Sequence, residues 1–362
     1  MAKYTRPTFG QKGIETVTVR SLLMPDKPLT VPQIDYPIKP IENFKLAVAR
    51  DSPVWVPNAA LDFQSFFPSD WLEGFKVFPW GSENQDVYFD EFGCQWKYVP
   101  SAYGAMLDPA GKPVVDDVTK WEKQVKFPEF KFIENDFMEK SYNPDKVLHL
   151  DIFQGATERL VGLLGGYTEA MLALAEEPEA CGDFLNAFAD WEIAQIDKLY
   201  ERYPINLLTY HDDFGTERDT FFSERMMEEL VLEPTRRIVQ HAKNKGAAFE
   251  FHSCGNIGRF MKYMIELNVD LLWIQPRAND MPKMKREYGD KIGFFSFYDR
   301  NLIPNPTKEQ IKEIVRETME TLGKGGGVYA HTFATDPQAA WDYCFELYCY
   351  SREYYDKERG EL

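Results

Sequence analysis

The feature that most constrains the fold of this chain is an uninterrupted alternation of strand-like and helical segments from residue 147 onward. It contains six strand-like segments, and each one precedes a helical segment. Strands connected by helices in this way pair in parallel, so the pattern predicts a parallel sheet covered by helices. The predicted strands are 147–152, 205–210, 247–251, 270–274, 293–297 and 327–330, and the predicted helices are 157–175, 178–202, 224–244, 257–267, 279–288, 307–322 and 337–357.

Two folds are built from such a series. With one or two further strands from the N-terminal third, eight strand–helix units would close a (β/α)8 barrel of the TIM type. The alternative is a doubly wound open sheet, which in nucleotide-binding proteins carries a Gly-x-Gly-x-x-Gly turn after a strand. None of the predicted strands is followed by that motif. We therefore predict an α/β fold, and specifically the barrel.

The N-terminal third has a different character. Residues 1–35 are irregular and contain four prolines, which predicts an extended arm lying on the body of the protein or on a partner subunit. Residues 36–362 then form the barrel domain, with a short helix from Ile41. The region 58–130 is rich in Trp, Phe, Gly and Pro, and it predicts β-hairpins and long loops that cap one end of the fold.

The composition argues against several classes of function. Of the 362 residues, 58 are acidic and 41 are Lys or Arg, so the net charge is −17. Such a balance disfavours nucleic acid as a partner and a basic membrane-binding patch. The five irregularly spaced cysteines do not predict a disulfide framework. The sequence shows neither an apolar signal core nor a run of about 18 apolar residues, and we expect a cytoplasmic protein.

Polar side chains are concentrated at the ends of the predicted strands. In (β/α)8 barrels the catalytic residues lie at the carboxyl ends of the strands. Three of the five histidines occupy such positions, which a random scatter of surface polar residues would not produce. The polar residues at the strand ends are Asp151, Gln154, His211, Asp212, Asp213, His252, Cys254, Gln275, Tyr298, Asp299 and His331.

His252 and Cys254 are the strongest candidates for a metal site. They are two residues apart at the end of a strand, so their side chains point the same way. Imidazole and thiolate are ligands that zinc prefers, and a catalytic zinc has a third protein ligand and an open fourth position. We predict His331 as the third ligand, while a buried cysteine beside a hydrogen-bonded core histidine is the competing interpretation. The alternative oxygen ligands are Asp212, Asp213 and Glu250.

Asp212 and Asp213 form a pair of carboxylates that suits acid–base catalysis. A structural role, in which these carboxylates accept hydrogen bonds from loop amides, is the alternative. Several aromatic residues also end strands, and some of them are predicted to form the walls around a flat, apolar substrate. The predicted substrate-binding residues are His211, Phe214, Phe251, Trp273, Gln275, Phe297 and Phe333.

At these residues the chain resembles the uroporphyrinogen decarboxylase-like superfamily, whose members are (β/α)8 barrels. The resemblance extends over most of the body of the chain. It rests on the segments Glu42-Asn43-Phe44, Val56-Pro57, Asp90-Glu91-Phe92-Gly93, Asp212-Asp213-Phe214-Gly215, Glu233-Pro234, His252-Ser253-Cys254-Gly255 and Gly325-Gly326-Gly327.

Two branches of this superfamily are relevant. Uroporphyrinogen decarboxylases carry an arginine-rich N-terminal segment that holds the substrate carboxylates, whereas Val56-Pro57 is followed here by 58–62, without an arginine nearby. Corrinoid-dependent methyltransferases bind zinc through a His-x-Cys motif and a distant cysteine. His252 and Cys254 match the motif, and His331 stands where the distant cysteine falls. Replacing a thiolate by a neutral imidazole leaves more positive charge on the metal, which suits withdrawal of electrons from an ether oxygen.

The resemblance therefore implies the methyltransferase component of a corrinoid-dependent O-demethylase. Such a component would transfer the methyl group of an aromatic methyl ether to cob(I)alamin on a partner corrinoid protein, with zinc as a Lewis acid. Asp212, Asp213 or Tyr298 would protonate or orient the departing phenolate. A homodimer is also compatible with the family. Three alternatives stay open: a cofactor-free decarboxylase with Asp212 or Asp213 as the acid, methyl transfer from a corrinoid protein to a thiol or a folate, and a non-catalytic binding module.

Overall fold

A computed structural model of the chain describes residues 4–6, 16–19, 28–74, 87–99, 104–297, 303–334 and 336–361. The strands in these residues are β1 (Thr16–Val19), β2 (Leu29–Pro32), β3 (Phe63–Phe66), β4 (Leu72–Glu73), β5 (Val87–Phe89), β6 (Gln95–Val99), β7 (Gly104–Leu107), β8 (Lys131–Phe132), β9 (Val147–Ile152), β10 (Leu207–His211), β11 (Ala248–Ser253), β12 (Leu271–Ile274), β13 (Gly293–Ser296) and β14 (Val328–Ala330).

The helices are α1 (Pro40–Ala49), α2 (Ala59–Asp62), α3 (Pro68–Trp71), α4 (Trp121–Gln124), α5 (Phe137–Lys140), α6 (Ala156–Leu164), α7 (Tyr167–Glu176), α8 (Pro178–Tyr200), α9 (Glu224–Met226), α10 (Leu232–Asn244), α11 (Met261–Glu266), α12 (Met281–Tyr288), α13 (Lys308–Thr318) and α14 (Pro337–Glu358). Short 3₁₀ turns occur at Val118–Lys120 and Gly258–Phe260, and π-helical turns at Met227–Val231 and Met319–Gly323. No helix in the described parts of the chain has the length and apolar character needed to cross a membrane.

The alternation of strands and helices produces the predicted parallel sheet. Seven strands belong to it, in the hydrogen-bonded order β14-β13-β12-β11-β10-β9-β3. The pairs β9–β10, β10–β11, β12–β13 and β13–β14 are all parallel. The α/β class is thereby confirmed, and each of the six predicted strands is present within two residues of its predicted bounds. An eighth strand in this sheet, which the predicted barrel requires, is not found among the described residues.

The segment before β3 explains this difference. Asn58 forms an isolated parallel bridge with Ala330 of β14, and the helical turn α2 then separates the bridge from β3. The Asn58 side chain accepts a hydrogen bond from the N–H of Ala60 at 2.9 Å, and Oδ2 of Asp62 accepts one from the N–H of Asn58 at 2.9 Å. Side chains that bond to nearby backbone in this way compete with a sheet ladder. They hold the helical turn, so this stretch contributes one bridge and one strand instead of two strands.

The chain divides into two compact units. The first unit comprises Met1–Ser65, Asn143–Leu148 and Asp270–Leu362, and the second comprises Phe66–Tyr142 and His149–Val269.

In the first unit, the described part of the N-terminal segment lies on α14. Strands β1 and β2 pair antiparallel, and β2 contacts α14. Arg6 forms an ion pair with Glu346 of α14. Tyr36 stacks on Trp55 with ring centroids 4.7 Å apart, and Trp55 contacts Tyr348 of α14 at 5.8 Å. The arm predicted for residues 1–35 thus lies, in its described residues, on the body of the same chain.

In the second unit, the predicted hairpins of the N-terminal third are confirmed. Strands β5, β6 and β7 form an antiparallel sheet, and β4 pairs with β8. The single helix predicted over 157–175 is instead two helices, α6 and α7. Gly165 ends α6 in the left-handed conformation, with φ at 86°, and the N–H of Gly166 bonds to the carbonyl of Val161 at 3.0 Å. The two adjacent glycines therefore end one helix and start the next.

A buried ion cluster joins this antiparallel sheet to α6. The Asp90 carboxylate accepts hydrogen bonds from Arg159 at 2.6 Å and from the indole N–H of Trp96 at 2.8 Å. Arg159 also pairs with Glu91 at 3.0 Å and lies over the ring of Phe92 at 4.2 Å. The side chains of Arg159, Asp90 and Glu91 are at most 4% exposed. The cluster holds Trp96 and the first turns of α6 in fixed positions.

Arg159→Leu tests this cluster. Removal of the guanidinium leaves two buried carboxylates without their cation, which we expect to lower the free energy of unfolding by about 3–5 kcal/mol. Urea titration followed by circular dichroism measures the change. The control is Arg316→Leu, because Arg316 pairs with Glu313 and Glu320 on the surface. That substitution should have a much smaller effect, since water screens exposed pairs. An equal loss in both variants would contradict the assigned role of the cluster.

Candidate metal centre

The register of β10 and β11 places two histidines side by side. His211 and His252 are paired across the two parallel strands, and their ring centroids are 4.5 Å apart. Residues two apart on a strand share a face, and Sγ of Cys254 is 3.5 Å from Nε2 of His252. The His-x-Cys pattern at the end of β11 therefore brings imidazole and thiol together, as its spacing predicts.

Asp213, in the loop after β10, completes the group. The N–H of Cys254 donates to Oδ1 of Asp213 at 2.7 Å, and the same oxygen is 3.7 Å from Nε2 of His252. One ligand atom each from Asp213, His252 and Cys254 lies within 4.8 Å of the other two. A nitrogen, a sulfur and an oxygen donor from three residues match a catalytic zinc site, which keeps its fourth position for a substrate or water. The donor set present here therefore fits the metal that the resemblance implies.

Two interlocked loops hold these ligands. The N–H of Phe214 donates to Oγ of Ser253 at 2.9 Å, and the N–H of Asn256 donates to the carbonyl of Thr216 at 2.7 Å. Gly255 has a φ of 73°, and a Cβ at this position would overlap the backbone of Gly215. Only glycine permits this conformation together with such close backbone approach. Both glycines are thus required for Asp213 and Cys254 to meet.

Asp212 has the structural role that its sequence context left open. Its carboxylate accepts hydrogen bonds from the N–H groups of Thr157 at 3.1 Å and Glu158 at 2.9 Å, and from the Thr157 hydroxyl. It therefore caps the N-terminus of α6, where the helix leaves N–H groups without intrahelical partners. Burial raises the pKa of Asp212 to about 7 in spite of these bonds. The side chain ties α6 to the end of β10.

A cavity of about 430 Å³ in the second unit contains the candidate ligands. Its walls come from the β6–β7 hairpin, from both helices that flank the Gly165–Gly166 break and from the ends of β9, β10 and β11. The described residues that line it are Trp96, Ala105, Met106, Leu107, Pro109, Phe153, Glu158, Val161, Gly165, Gly166, Tyr167, Thr168, Glu169, His211, Asp213, His252 and Cys254.

Comparison with protein-family models shows which family the chain belongs to. The model described as uroporphyrinogen decarboxylase (URO-D) matches residues 153–335, just over half of the chain. The chain belongs to the uroporphyrinogen decarboxylase family. The matched region starts directly after β9 and includes the ends of β10 and β11, where the candidate ligands lie.

The other comparisons add less. Among solved structures, a methyltransferase from Methanosarcina mazei is similar with a TM-score of 0.47 and 12% sequence identity, over 61% of this chain and 62% of that one. The chain thus matches somewhat under two thirds of that methyltransferase. Comparison with curated protein sequences finds no match.

Within this family member, a layer of polar side chains lies beneath the candidate ligands. Thr209 donates its hydroxyl proton to Glu250 at 2.7 Å, so it accepts from Nε2 of His149, also at 2.7 Å. Nε2 of His211 lies 3.1 Å from the Asp151 carboxylate. Burial raises the pKa of Asp151 to about 6 and lowers that of His211 to about 3. His211 is therefore neutral near pH 7, and Asp151 fixes the orientation of its ring.

Glu158 is a cavity residue that the sequence did not single out. It lies in the first turn of α6. Burial first, and then the nearby carboxylates of Asp213 and Asp212, raise the pKa of Glu158 well above its ordinary value. A raised pKa favours the protonated form of the carboxyl group, which is the form that can donate a proton. Its position just after a strand end was visible in the sequence, but no pattern distinguished it from other acidic residues at a helix start.

The aromatic walls also differ from those predicted. The aromatic lining residues Trp96, Phe153 and Tyr167 were not predicted. The ring of Phe153 stacks on His211 with centroids 4.0 Å apart. Trp96 belongs to a hairpin that only tertiary structure brings to the site. Phe214 and Phe251 are each 0% exposed, and their ring centroids are 5.0 Å apart. Neither of these two rings is part of the cavity lining.

The remaining predicted residues belong to the first unit. There the ring centroid of Phe333 lies 6.2 Å from that of Trp273 and 5.3 Å from that of Phe297. The ring of His331 meets Phe333 edge-on at 5.3 Å, and burial lowers the pKa of His331 to about 4. Gln275 follows β12, and its main-chain carbonyl accepts a hydrogen bond from the side-chain amide of Asn279 at 3.0 Å. Tyr298 and Asp299 lie outside the described residues, and the ligand role of His331 stays a prediction.

Metal analysis of ligand variants tests the centre. We expect about one zinc per chain, and an affinity loss of roughly 100-fold or more in Cys254→Ser and Asp213→Asn, because each loses a ligand charge. The measurement is competition with a chromogenic chelator. The matched control is Cys181→Ser, since Cys181 is buried in α8 and is not among the grouped donors.

His331→Ala belongs in the same series. Full retention of zinc in Asp213→Asn, together with its loss in His331→Ala, would restore the ligand set that the sequence predicts. Wild-type affinity in Cys254→Ser would contradict both sets.

Proposed function

We propose that this chain is the methyltransferase component of a corrinoid-dependent O-demethylase. It would transfer the methyl group of an aromatic methyl ether to cob(I)alamin carried by a partner corrinoid protein. The observation that carries the proposal is the donor group Asp213, His252 and Cys254 in the lining of a largely apolar cavity. This combination offers a metal position beside space for an aromatic ring.

Asp213, His252 and Cys254 would hold the zinc. When bound, the metal supplies Lewis-acid chemistry that draws electron density from the ether oxygen. The ligand set contains one thiolate, one carboxylate and one neutral imidazole, so its formal charge balances that of a divalent cation. The neutral His211 beside this set adds no further charge.

Glu158 would act on the leaving oxygen. Transfer of the methyl group breaks the bond between methyl carbon and oxygen and leaves the bonding electrons on that oxygen. Glu158, whose raised pKa favours the protonated form, would donate a proton within the same cavity. Tyr167, whose pKa is also raised by burial and by Glu158, keeps its phenolic proton and can hydrogen-bond to the same oxygen. Proton donation at this point lowers the barrier, because a phenol is a better leaving group than a phenolate.

The walls would orient the ring. Trp96 and Phe153 offer flat apolar surfaces, and the hydrogen bond from Trp96 to Asp90 prevents rotation of the indole. Orientation of this kind places the methyl carbon for in-line attack.

The decarboxylase alternative has less support. A decarboxylase for a polycarboxylate substrate needs cationic side chains, yet neither Lys nor Arg is present among the described lining residues. Of its two candidate acids, Asp212 is used in capping α6, and Asp213 belongs to the candidate metal donors. Methyl transfer in the reverse direction, to a thiol or a folate, would use the same metal ligands, and the assay below distinguishes it.

Methyl transfer from 2-methoxyphenol to added cob(I)alamin tests the proposal. We expect the absorbance change of corrinoid methylation with wild-type zinc protein, and a rate lower by about 100-fold in Glu158→Gln. The matched control is Glu179→Gln, at an exposed position in the first turn of α8.

The pH profile gives a second signature of the same step. Glu158 donates only when protonated, so the wild-type rate should fall as the pH rises through its raised pKa. Glu158→Gln should lack this alkaline decline. No corrinoid methylation from any methoxyarene would refute the proposed function. Methylation of a thiol or a folate from methylated corrinoid, without the forward reaction, would replace it by the reverse transfer.

A further inference from the structure

Among the described residues that line the cavity, the carboxylic acids are not matched by any lysine or arginine. Glu158, Glu169 and Asp213 are acidic, and none of the other lining residues that the structure describes is Lys or Arg. The two lining histidines are already engaged, because Nε2 of His211 lies 3.1 Å from the Asp151 carboxylate and His252 belongs to the candidate metal donors. A ligand carboxylate inside the cavity would therefore meet no lysine or arginine among the described lining residues.

The arginine next to Glu158 in the sequence cannot be recruited. Arg159 follows Glu158 directly, but its guanidinium bonds to Asp90 at 2.6 Å and to Glu91 at 3.0 Å. It also lies over the ring of Phe92, and it is not among the lining residues. Moving it toward a ligand would leave two buried carboxylates unpaired, which is costly.

One backbone feature of the cavity could still attract an anion. The ten-residue helix α7 starts at Tyr167, and Gly166, Tyr167 and Thr168 line the cavity. A helix N-terminus carries partial positive charge. Glu169, in the first turn of α7, already places a negative charge there. Its Oε2 would lie 2.5 Å from a Cβ atom built on Gly166. The carboxylate of the protein itself thus occupies the place where a ligand carboxylate would be stabilised.

We infer that the cavity selects methoxyarenes without an ionised carboxylate, and that Glu169 at its exposed rim is the residue that determines this specificity. The inference rests on the proposed function, because it names the class of methyl donor for the same site. A carboxylate entering the cavity loses its hydration, meets no lysine or arginine among the described lining residues and is repelled by Glu169. The proposed zinc would not offset this cost, because its own ligands would balance its charge. An uncharged ring can pack on the aromatic and apolar walls and avoids this cost.

Two ligands that differ by a single carboxylate test the inference. They are 2-methoxyphenol and 4-hydroxy-3-methoxybenzoate, titrated by calorimetry into the zinc-loaded full-length chain at pH 7. We expect wild-type protein to bind the uncharged ligand more tightly by about tenfold or more, the range for a buried polar group without a partner.

Variants at Glu169 should shift this preference. Glu169→Gln removes the repulsion and should bring the affinities for the two ligands closer together. Glu169→Arg supplies a cation and should make the benzoate the more tightly bound ligand. The matched control is Glu176→Arg, which makes the same charge change at the exposed far end of α7, outside the cavity lining. It should keep the wild-type ratio.

The outcomes separate the inference from the proposed function. Equal or tighter benzoate binding by wild-type protein, or an unchanged ratio in Glu169→Arg, overturns the inference, and corrinoid methylation from both ligands would then leave the proposed function standing. If the relative affinities are as predicted but neither ligand transfers its methyl group, the selectivity is supported and the proposed function is overturned. Absence of binding by either ligand overturns both.

Discussion

The backbone N–H of Cys254 donates a hydrogen bond of 2.7 Å to Oδ1 of Asp213, and this bond ties the loop after β10 to the loop after β11. It brings a carboxylate oxygen to within 3.7 Å of Nε2 of His252. The close backbone approach at Gly215 and Gly255 makes the bond possible, since a side chain at Gly255 would overlap the other loop. The geometry of the candidate metal centre thus depends on two glycines that contribute no side chain to it.

The remainder of the cavity depends on the position of α6. Asp212 caps the start of this helix, and Arg159, one turn further, joins it to Asp90 of the antiparallel sheet. These contacts hold Glu158 and Trp96 on the same cavity. Burial first, and then the neighbouring carboxylates, raises the pKa values of Glu158 and Asp212. Burial of carboxyl groups is unfavourable for stability, and it favours the protonated form that the proposed reaction uses.

Local periodicity predicted the parts of this structure that depend on neighbouring residues. The strands from β9 to β14 follow from alternation with helices, and the pairing of His252 with Cys254 follows from the two-residue period of a strand. Tertiary contacts determined what the sequence could not show. Asp213 joins the donors through a hydrogen bond between two loops, and Trp96 reaches the cavity from a hairpin that is more than 100 residues distant from β10 in sequence. The single helix expected over 157–175 divides because Gly165 is in the left-handed conformation, which sequence periodicity does not reveal.

A crystal structure of the zinc-loaded protein, with anomalous diffraction recorded at the zinc absorption edge, tests the central claim most directly. The ligand assignment predicts one anomalous peak bonded to Oδ1 of Asp213, Nε2 of His252 and Sγ of Cys254, at about 2.0–2.3 Å. A peak at another position, or one bonded to His252 and Cys254 while Asp213 keeps only its hydrogen bond to Cys254, would contradict the assignment.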